Sequence, residues 1–100
     1  MKNKFLIILN SNTTENEMKL FSEAITSNYP SIKAGDNLFI LKTDGTLNSK
    51  DIYLKIASKT KDKFSFVVLP FGAWWGDIFV NAFDWLEENF PEEGIERTNK

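Results

Sequence analysis

The run K-F-S-F-V-V-L at residues 63–69 has the strongest strand pattern in the sequence. It is rich in aromatic and β-branched residues, which favour strands, and Pro70 follows it directly. A second apolar run, F-L-I-I-L at residues 5–9, ends at Asn10 and is typical of a central strand that is covered on at least one face. These two runs predict two strands of one sheet.

Between the two runs, the sequence predicts a helix and then a hairpin. A Thr-x-x-Glu capping box at residues 14–17 marks the start of a first helix, which we expect to run to about Ser27 because Pro30 follows. Residues 31–43 predict two short strands folded about a turn at residues 35–37, where glycine, aspartate and asparagine follow one another.

Two further helices are predicted in the second half of the chain. Asn48 or Ser49 can cap a second helix, with apolar residues on one face and lysines on the other. Asp77 can cap a third helix, which Pro91 ends. Its apolar face is predicted to consist of Ile78, Phe79, Ala82, Phe83, Leu86 and Phe90, at i, i+3 and i+4 spacings.

The predicted order of elements is strand, helix, strand, strand, helix, strand and an extra helix. The first six match a ferredoxin-like βαββαβ unit, an α+β fold whose antiparallel sheet carries both helices on one face. We therefore expect one domain over residues 1–91 and a polar tail over residues 92–100. The other face of the sheet must also be covered, either by the third helix or by a second subunit.

The composition excludes several kinds of chemistry. The chain has 100 residues, no cysteine and no histidine, so thiol nucleophiles, thiolate metal sites and histidine bases are all excluded. No apolar segment approaches the roughly 20 residues of a transmembrane helix, and the N-terminal apolar run is too short for a signal peptide. We therefore expect a cytoplasmic protein without membrane contact.

Charge is unevenly spread along the chain. Residues 1–63 hold ten lysines against seven acids, whereas residues 64–100 hold two basic residues against seven acids. The two halves can attract each other, or the matching half of a second copy.

The order of the predicted elements and the residues within them resemble those of a known family. They are similar to small CRISPR adaptation endonuclease-like proteins, more closely to their SinR-like relatives, and to virulence-associated protein D. The resemblance is carried by residues 5–10, 38–43, 49–56, 64–69, 74–76 and 84–86, which include Trp74-Trp75-Gly76 and Asp84-Trp85-Leu86. It implies a ferredoxin-like homodimer in a prokaryotic antiviral defence or mobile-element setting.

Some members of that family are metal-dependent nucleases that use an aspartate at the end of the first strand. The matching residue here is Asn10, which is neutral and holds a divalent cation poorly. The resemblance therefore implies the fold and the dimer more than the chemistry, and we expect no catalytic residue, no metal site and no cofactor. Magnesium would be needed only if the chain were a nuclease.

Aromatic and acidic residues near the end of the fold are the candidate partner-binding residues. Trp74 and Trp75 are adjacent, so in an extended segment they point to opposite sides, and one can fill the core while the other meets a partner. Trp85 is predicted to lie off the main apolar face of the third helix. The partner-binding set is Trp74, Trp75, Trp85, Glu87 and Glu88.

Two other clusters are candidates for ligand binding. A basic patch on and after the second helix has enough charge to touch several phosphates, but a solvated helix face is the more ordinary interpretation. Its members are Lys50, Lys55, Lys59, Lys61 and Lys63. Asp36, Asp44 and Asp51 could gather around Asn10 as a carboxylate cluster, although turns and helix starts also favour aspartate.

Three functions follow from these observations. The first is a non-catalytic protein-interaction module, as a homodimer with weak or no nucleic-acid binding. The second is a metal-dependent endonuclease acting on RNA or DNA. The third is a small phage- or plasmid-encoded inhibitor that blocks a host nuclease through its acidic C-terminal surface.

Overall fold

The computed structural model describes residues 3–10, 12–72 and 77–91. Within these ranges the elements are β1 (Lys4–Leu9), α1 (Glu15–Thr26), β2 (Ser31–Gly35), β3 (Leu38–Lys42), α2 (Ser49–Lys59), β4 (Phe66–Pro70) and α3 (Val80–Asn89). The strands form one antiparallel sheet in the order β2-β3-β1-β4. The predicted α+β fold, compatible with a ferredoxin-like unit and an added C-terminal helix, is confirmed.

One face of the sheet carries the main core. Because side chains alternate along a strand, Phe5, Ile7 and Leu9 of β1 all point to the face that α1 and α2 cover. Phe21 of α1 lies at the centre of this core. Its ring meets three others edge to face, with centroid distances of 5.7 Å to Phe39, 5.1 Å to Phe64 and 5.2 Å to Phe66. Such pairs each add about 0.5–1.5 kcal/mol beyond the area they bury.

The opposite face carries a second, smaller core beneath α3. Ala34 of β2 and Ile40 of β3 pack there against buried residues of the helix, namely Ala82, Leu86 and Phe90. Of the two covers that the sequence allowed, the third helix is present, and it lies over the β2 side of this face. In the described ranges, none of the helices is both long and apolar enough to cross a membrane.

Local signals fixed the first two helices as predicted. Thr14 and Glu17 form a reciprocal capping box at the start of α1, and Asn48 and Asp51 form a second one at the start of α2. The hairpin between β2 and β3 turns after Gly35, as expected. A Cβ atom at Gly35 would lie only 3.2 Å from the Cβ of Leu38, so a residue without a side chain suits this turn.

Two predicted boundaries are wrong. Asp77 does not cap α3, because the helix begins at Val80 and its N-cap is Phe79, without a side-chain hydrogen bond. The backbone N–H of Phe79 instead donates a hydrogen bond of 2.9 Å to the carbonyl oxygen of Ala34, which fixes the helix start against β2. The strand β4 begins at Phe66 rather than at residue 63, because the left-handed residues Lys61 and Asp62 turn the chain just before it.

Candidate functional site

The strand β4 is an edge strand. Among the residues that the structure describes, it pairs with β1 alone, in a register that places Ile7 opposite Val68. An unpaired strand edge presents N–H and C=O groups that can pair with another chain. The free edge of β4 is therefore a candidate interaction surface.

The ladder between β1 and β4 shows which backbone groups face this free edge. Asn10 N–H donates to the carbonyl of Ser65, and Phe71 N–H donates to the carbonyl of Lys4. Hydrogen-bonded pairs alternate along an antiparallel ladder, so the odd-numbered residues of β4 bond to β1. The backbone groups of the remaining residues, Phe66, Val68 and Pro70, consequently point away from the sheet. Pro70 has no N–H, which suits an edge position.

Apolar side chains flank the free edge on both faces of the sheet. On the α3 face, Val67 is 36% exposed and Leu69 is 43% exposed. On the other face, Tyr53 of α2 is 39% exposed and its ring stacks on that of Phe66, with centroids 4.7 Å apart. We call Tyr53, Val67, Leu69 and the outward backbone of β4 the β4 surface.

The β4 surface has no charged residue near its centre. Residues 64–72 contain no lysine, arginine, aspartate or glutamate. Natural sheets usually protect an edge with charges, bulges or a covering element. The opposite edge, β2, has such protection, because it carries Lys33, has an irregular register between Lys33 and Gly35, and is packed by both α1 and α3.

The path of α3 across the sheet explains why Val67 and Leu69, on the same sheet face, stay exposed. The helix starts beside Ala34 of β2, and its C-terminal end lies beside Lys42, the last residue of β3. It therefore packs chiefly on the half of the sheet farther from β4. Val67 and Leu69 are left partly open to solvent as a result.

A groove of about 570 Å³ lies at the C-terminal end of α3. It is lined by Asn28, Tyr29, Pro30, Lys42, Thr43, Asp44, Thr46, Leu47 and Asn89. Most of its polar groups already have partners within the chain. Asn28 Nδ2 donates to the carbonyl of Ala24, and Asn89 Nδ2 donates to that of Trp85. These bonds reach carbonyl groups near the C-terminal ends of α1 and α3, so the two amide side chains in the groove have a structural role.

Two ionisable groups in this groove have shifted pKa values. Burial, and secondarily the negative charge of Asp51, raises the pKa of Tyr29. Hydrogen bonds from the side chain and backbone of Thr46 lower the pKa of Asp44. Neither shift places a proton-transfer group near neutral pH, because a tyrosine moves upward from 10 and an aspartate downward from about 4.

The predicted basic patch is exposed, and its five lysines lie on α2 or directly after it. Lys59 lies in the last turn of α2, where a cation also stabilises the helix end. Nucleic-acid contact by this patch stays a prediction.

The aspartates do not form the single cluster that the sequence allowed. Asp36 precedes β3 and Asp44 follows it, so at least the length of β3 separates them, about 14 Å for the four steps of about 3.4 Å from Leu38 to Lys42. Asn10 lies at the Asp36 end of the sheet, whereas Asp51 lies at the start of α2 in the capping box. The described residues contain no group of three or more acids placed to hold a metal ion.

The predicted partner-binding residues fall partly inside the described ranges. Trp74 and Trp75 lie outside them. Trp85 is half-buried and packs against the second core, with its ring edge to face with Phe90 at 6.0 Å between centroids. Glu87 and Glu88 are exposed on α3. Partner binding by all five residues stays a prediction.

Sequence reasoning missed the β4 surface. The strand itself was predicted, but its place at the edge depends on pairing between residues that are distant in sequence. The uncharged run of residues 64–72 was the available sign.

No protein-family model, curated protein or solved structure matches this chain at a significant level.

Proposed function

We propose that this chain is a non-catalytic protein-interaction module that forms a homodimer through the β4 surface. The observation that carries the proposal is an uncharged edge strand with exposed apolar side chains, Val67 and Leu69, in its middle. Exposed apolar residues grouped beside an unpaired edge are typical of an association site.

Charge favours a second copy as the occupant. In a two-fold contact, a residue close to the axis lies beside the same residue of the other copy, so a charged residue there would meet its own charge. The β4 surface avoids this repulsion because residues 64–72 are neutral. A two-fold contact through the exposed side of α2 would not avoid it, because Lys50, Lys55 and Lys59 would lie near the same lysines of the second copy.

The energetics favour contact along the strand edge over side-chain contact alone. Full burial of a valine or leucine side chain contributes about 1.5–3 kcal/mol, and Val67 and Leu69 are already more than half buried. Association must offset roughly 4 kcal/mol or more of lost translational and rotational freedom. Backbone hydrogen bonds along β4 and the ring of Tyr53 would supply the further stabilisation.

The family resemblance agrees with this proposal, because it implies a homodimer whose nuclease aspartate is replaced here by Asn10. The prokaryotic defence or mobile-element setting that the resemblance implies is part of the proposal. In such a setting, a stable dimer would present two copies of the exposed acids of α3 to a further protein partner.

Size-exclusion chromatography with light scattering tests the proposal. At micromolar concentration we expect a mass twice that of the 11.5 kDa chain. Leu69→Lys places like charges close to the axis and should shift the protein to monomer. Leu20→Lys is the matched control, because Leu20 is 41% exposed on α1, whereas the helix that packs chiefly on β4 is α2.

Circular dichroism on both variants shows whether each one remains folded. A folded wild-type protein that elutes as a monomer would overturn the proposal. So would a dimer that survives Leu69→Lys but dissociates with Leu20→Lys.

A further inference from the structure

We infer that two copies of this chain join β4 to β4 as antiparallel strands, with the two-fold axis passing through Val68. This inference rests on the proposed homodimer and specifies its contact. The two sheets would then continue into one another across the axis.

The backbone groups that face outward fit this register. Val68 points its N–H and C=O away from β1, so across the axis it can donate to and accept from Val68 of the second copy. Two residues away, the N–H of Phe66 can donate to the carbonyl of Pro70 in the second copy. The return bond is absent because proline has no N–H, and the contact therefore loses one donor at each end.

The side chains distinguish this register from its neighbour. With the axis at Val68, each Val67 lies directly opposite Leu69 of the other copy, so the exposed apolar residues of β4 cover one another. With the axis at Val67, Leu69 would instead lie opposite the exposed polar Ser65. The apolar match favours the axis at Val68.

The side chains on the face that α1 and α2 cover fit the same axis. Phe66 would lie across from Pro70 of the second copy, and the ring of Tyr53 already stacks on Phe66 at 4.7 Å between centroids. The contact would therefore bring two tyrosine–phenylalanine stacks to the two ends of the paired strands. Aromatic rings carry a large apolar area, so this contact would add apolar surface without introducing charge.

Disulfide cross-linking between single-cysteine variants tests the register, and the chain has no native cysteine to interfere. With the axis at Val68, residues 67 and 69 of opposite copies form a non-hydrogen-bonded pair with Cα atoms about 4.5 Å apart, within reach of a disulfide. Residue 67 of one copy and residue 67 of the other would be diagonal neighbours about 7–8 Å apart, which is too far for a disulfide.

The experiment mixes Val67→Cys protein with Leu69→Cys protein under mild oxidation and counts covalent dimers on a non-reducing gel. We expect on the order of tenfold more cross-linked product from the mixture than from either variant alone, because proximity raises the effective thiol concentration. A mixture of Leu20→Cys with Leu69→Cys controls for collisional disulfides, and circular dichroism checks that every variant is folded.

Each other outcome has a definite meaning. Efficient cross-linking of Val67→Cys alone would place the axis at Val67 and overturn the inferred register. Folded variants whose mixture forms no more product than the Leu20→Cys control, while the wild type is a dimer by light scattering, would overturn the register but not the homodimer. A monomeric wild-type protein would overturn both.

Discussion

The Nζ atom of Lys42 donates a hydrogen bond of 2.9 Å to the carbonyl oxygen of Asn89, joining the end of β3 to the C-terminal end of α3. The same ammonium lies 5.3 Å from the centroid of the Phe90 ring. Lys4, directly opposite Lys42 in the sheet, places its own ammonium 4.9 Å from that ring centroid. Both ammonium groups thus lie near the Phe90 ring, and Lys42 also contacts the negative end of α3, two environments that favour a positive charge.

Replacing Lys42 by Met should weaken the docking of α3. The change keeps an unbranched side chain but removes the hydrogen bond to Asn89 and the contact with Phe90. We expect the free energy of unfolding to fall by about 1–2 kcal/mol in urea denaturation. Lys55→Met, on the exposed side of α2, is the control and should stay within about 0.5 kcal/mol of wild type. An equal effect of both changes would show that the Lys42 contact has no special role.

The capping box of α1 predicts a dependence of stability on pH. The backbone and side chain of Thr14 hydrogen-bond with Glu17, and these bonds lower the pKa of Glu17 from its ordinary value of 4.5. A lowered folded-state pKa stabilises the protein above the unfolded-state pKa, and this stabilisation is lost as pH falls through the folded value.

Glu17→Gln tests this dependence, because glutamine can keep the capping bond but cannot titrate. We expect the difference in unfolding free energy between wild type and Glu17→Gln to be constant above about pH 6 and to shrink below pH 4.5. Glu15→Gln removes a charge from the same helix turn without touching the capping box. If its profile matched that of Glu17→Gln, the dependence would reflect helix charge alone.

The end of α2 predicts a stabilising substitution. Lys61 and Asp62 have positive φ angles of 53° and 58°, and their N–H groups bond back to the carbonyls of Ser58 and Ala57 in a Schellman arrangement. Glycine adopts this backbone conformation without the steric cost of a Cβ atom. Lys61→Gly should therefore raise the free energy of unfolding by up to about 1 kcal/mol.

The same substitution within α2 supplies the control for Lys61→Gly. Lys55→Gly lies in a regular helical turn, where glycine costs about 1 kcal/mol relative to good helix formers. Thermal unfolding of both variants should therefore shift the midpoint in opposite directions. A lower midpoint for Lys61→Gly would mean that the lysine side chain contributes more than the backbone strain costs.

The second core predicts how firmly α3 is held. Leu86 is fully buried between α3 and the sheet, whereas Val80 at the start of the same helix is 71% exposed. Leu86→Ala should lower the free energy of unfolding by about 2–4 kcal/mol, because it leaves a cavity. Val80→Ala should change it by less than about 0.5 kcal/mol. Comparable losses from both variants in urea denaturation would contradict the packing of α3 described above.

The sequence predicted the elements that depend on short-range interactions. Both capping boxes join residues three positions apart, so Thr14 with Glu17 and Asn48 with Asp51 carry their information locally. The apolar runs of β1 and β4 were recognised for the same reason, and the order of elements then pointed to the ferredoxin-like arrangement.

The tertiary structure decided what depends on distant contacts. The start of α3 is set by the bond from Phe79 to Ala34, which no neighbouring residue reveals. The separation of Asp36 from Asp44 follows from the length of β3, and the exposure of Val67 and Leu69 follows from the place of β4 at the sheet edge. Pairing and packing between residues far apart in sequence are what turn an apolar run into either a covered core strand or a candidate interface.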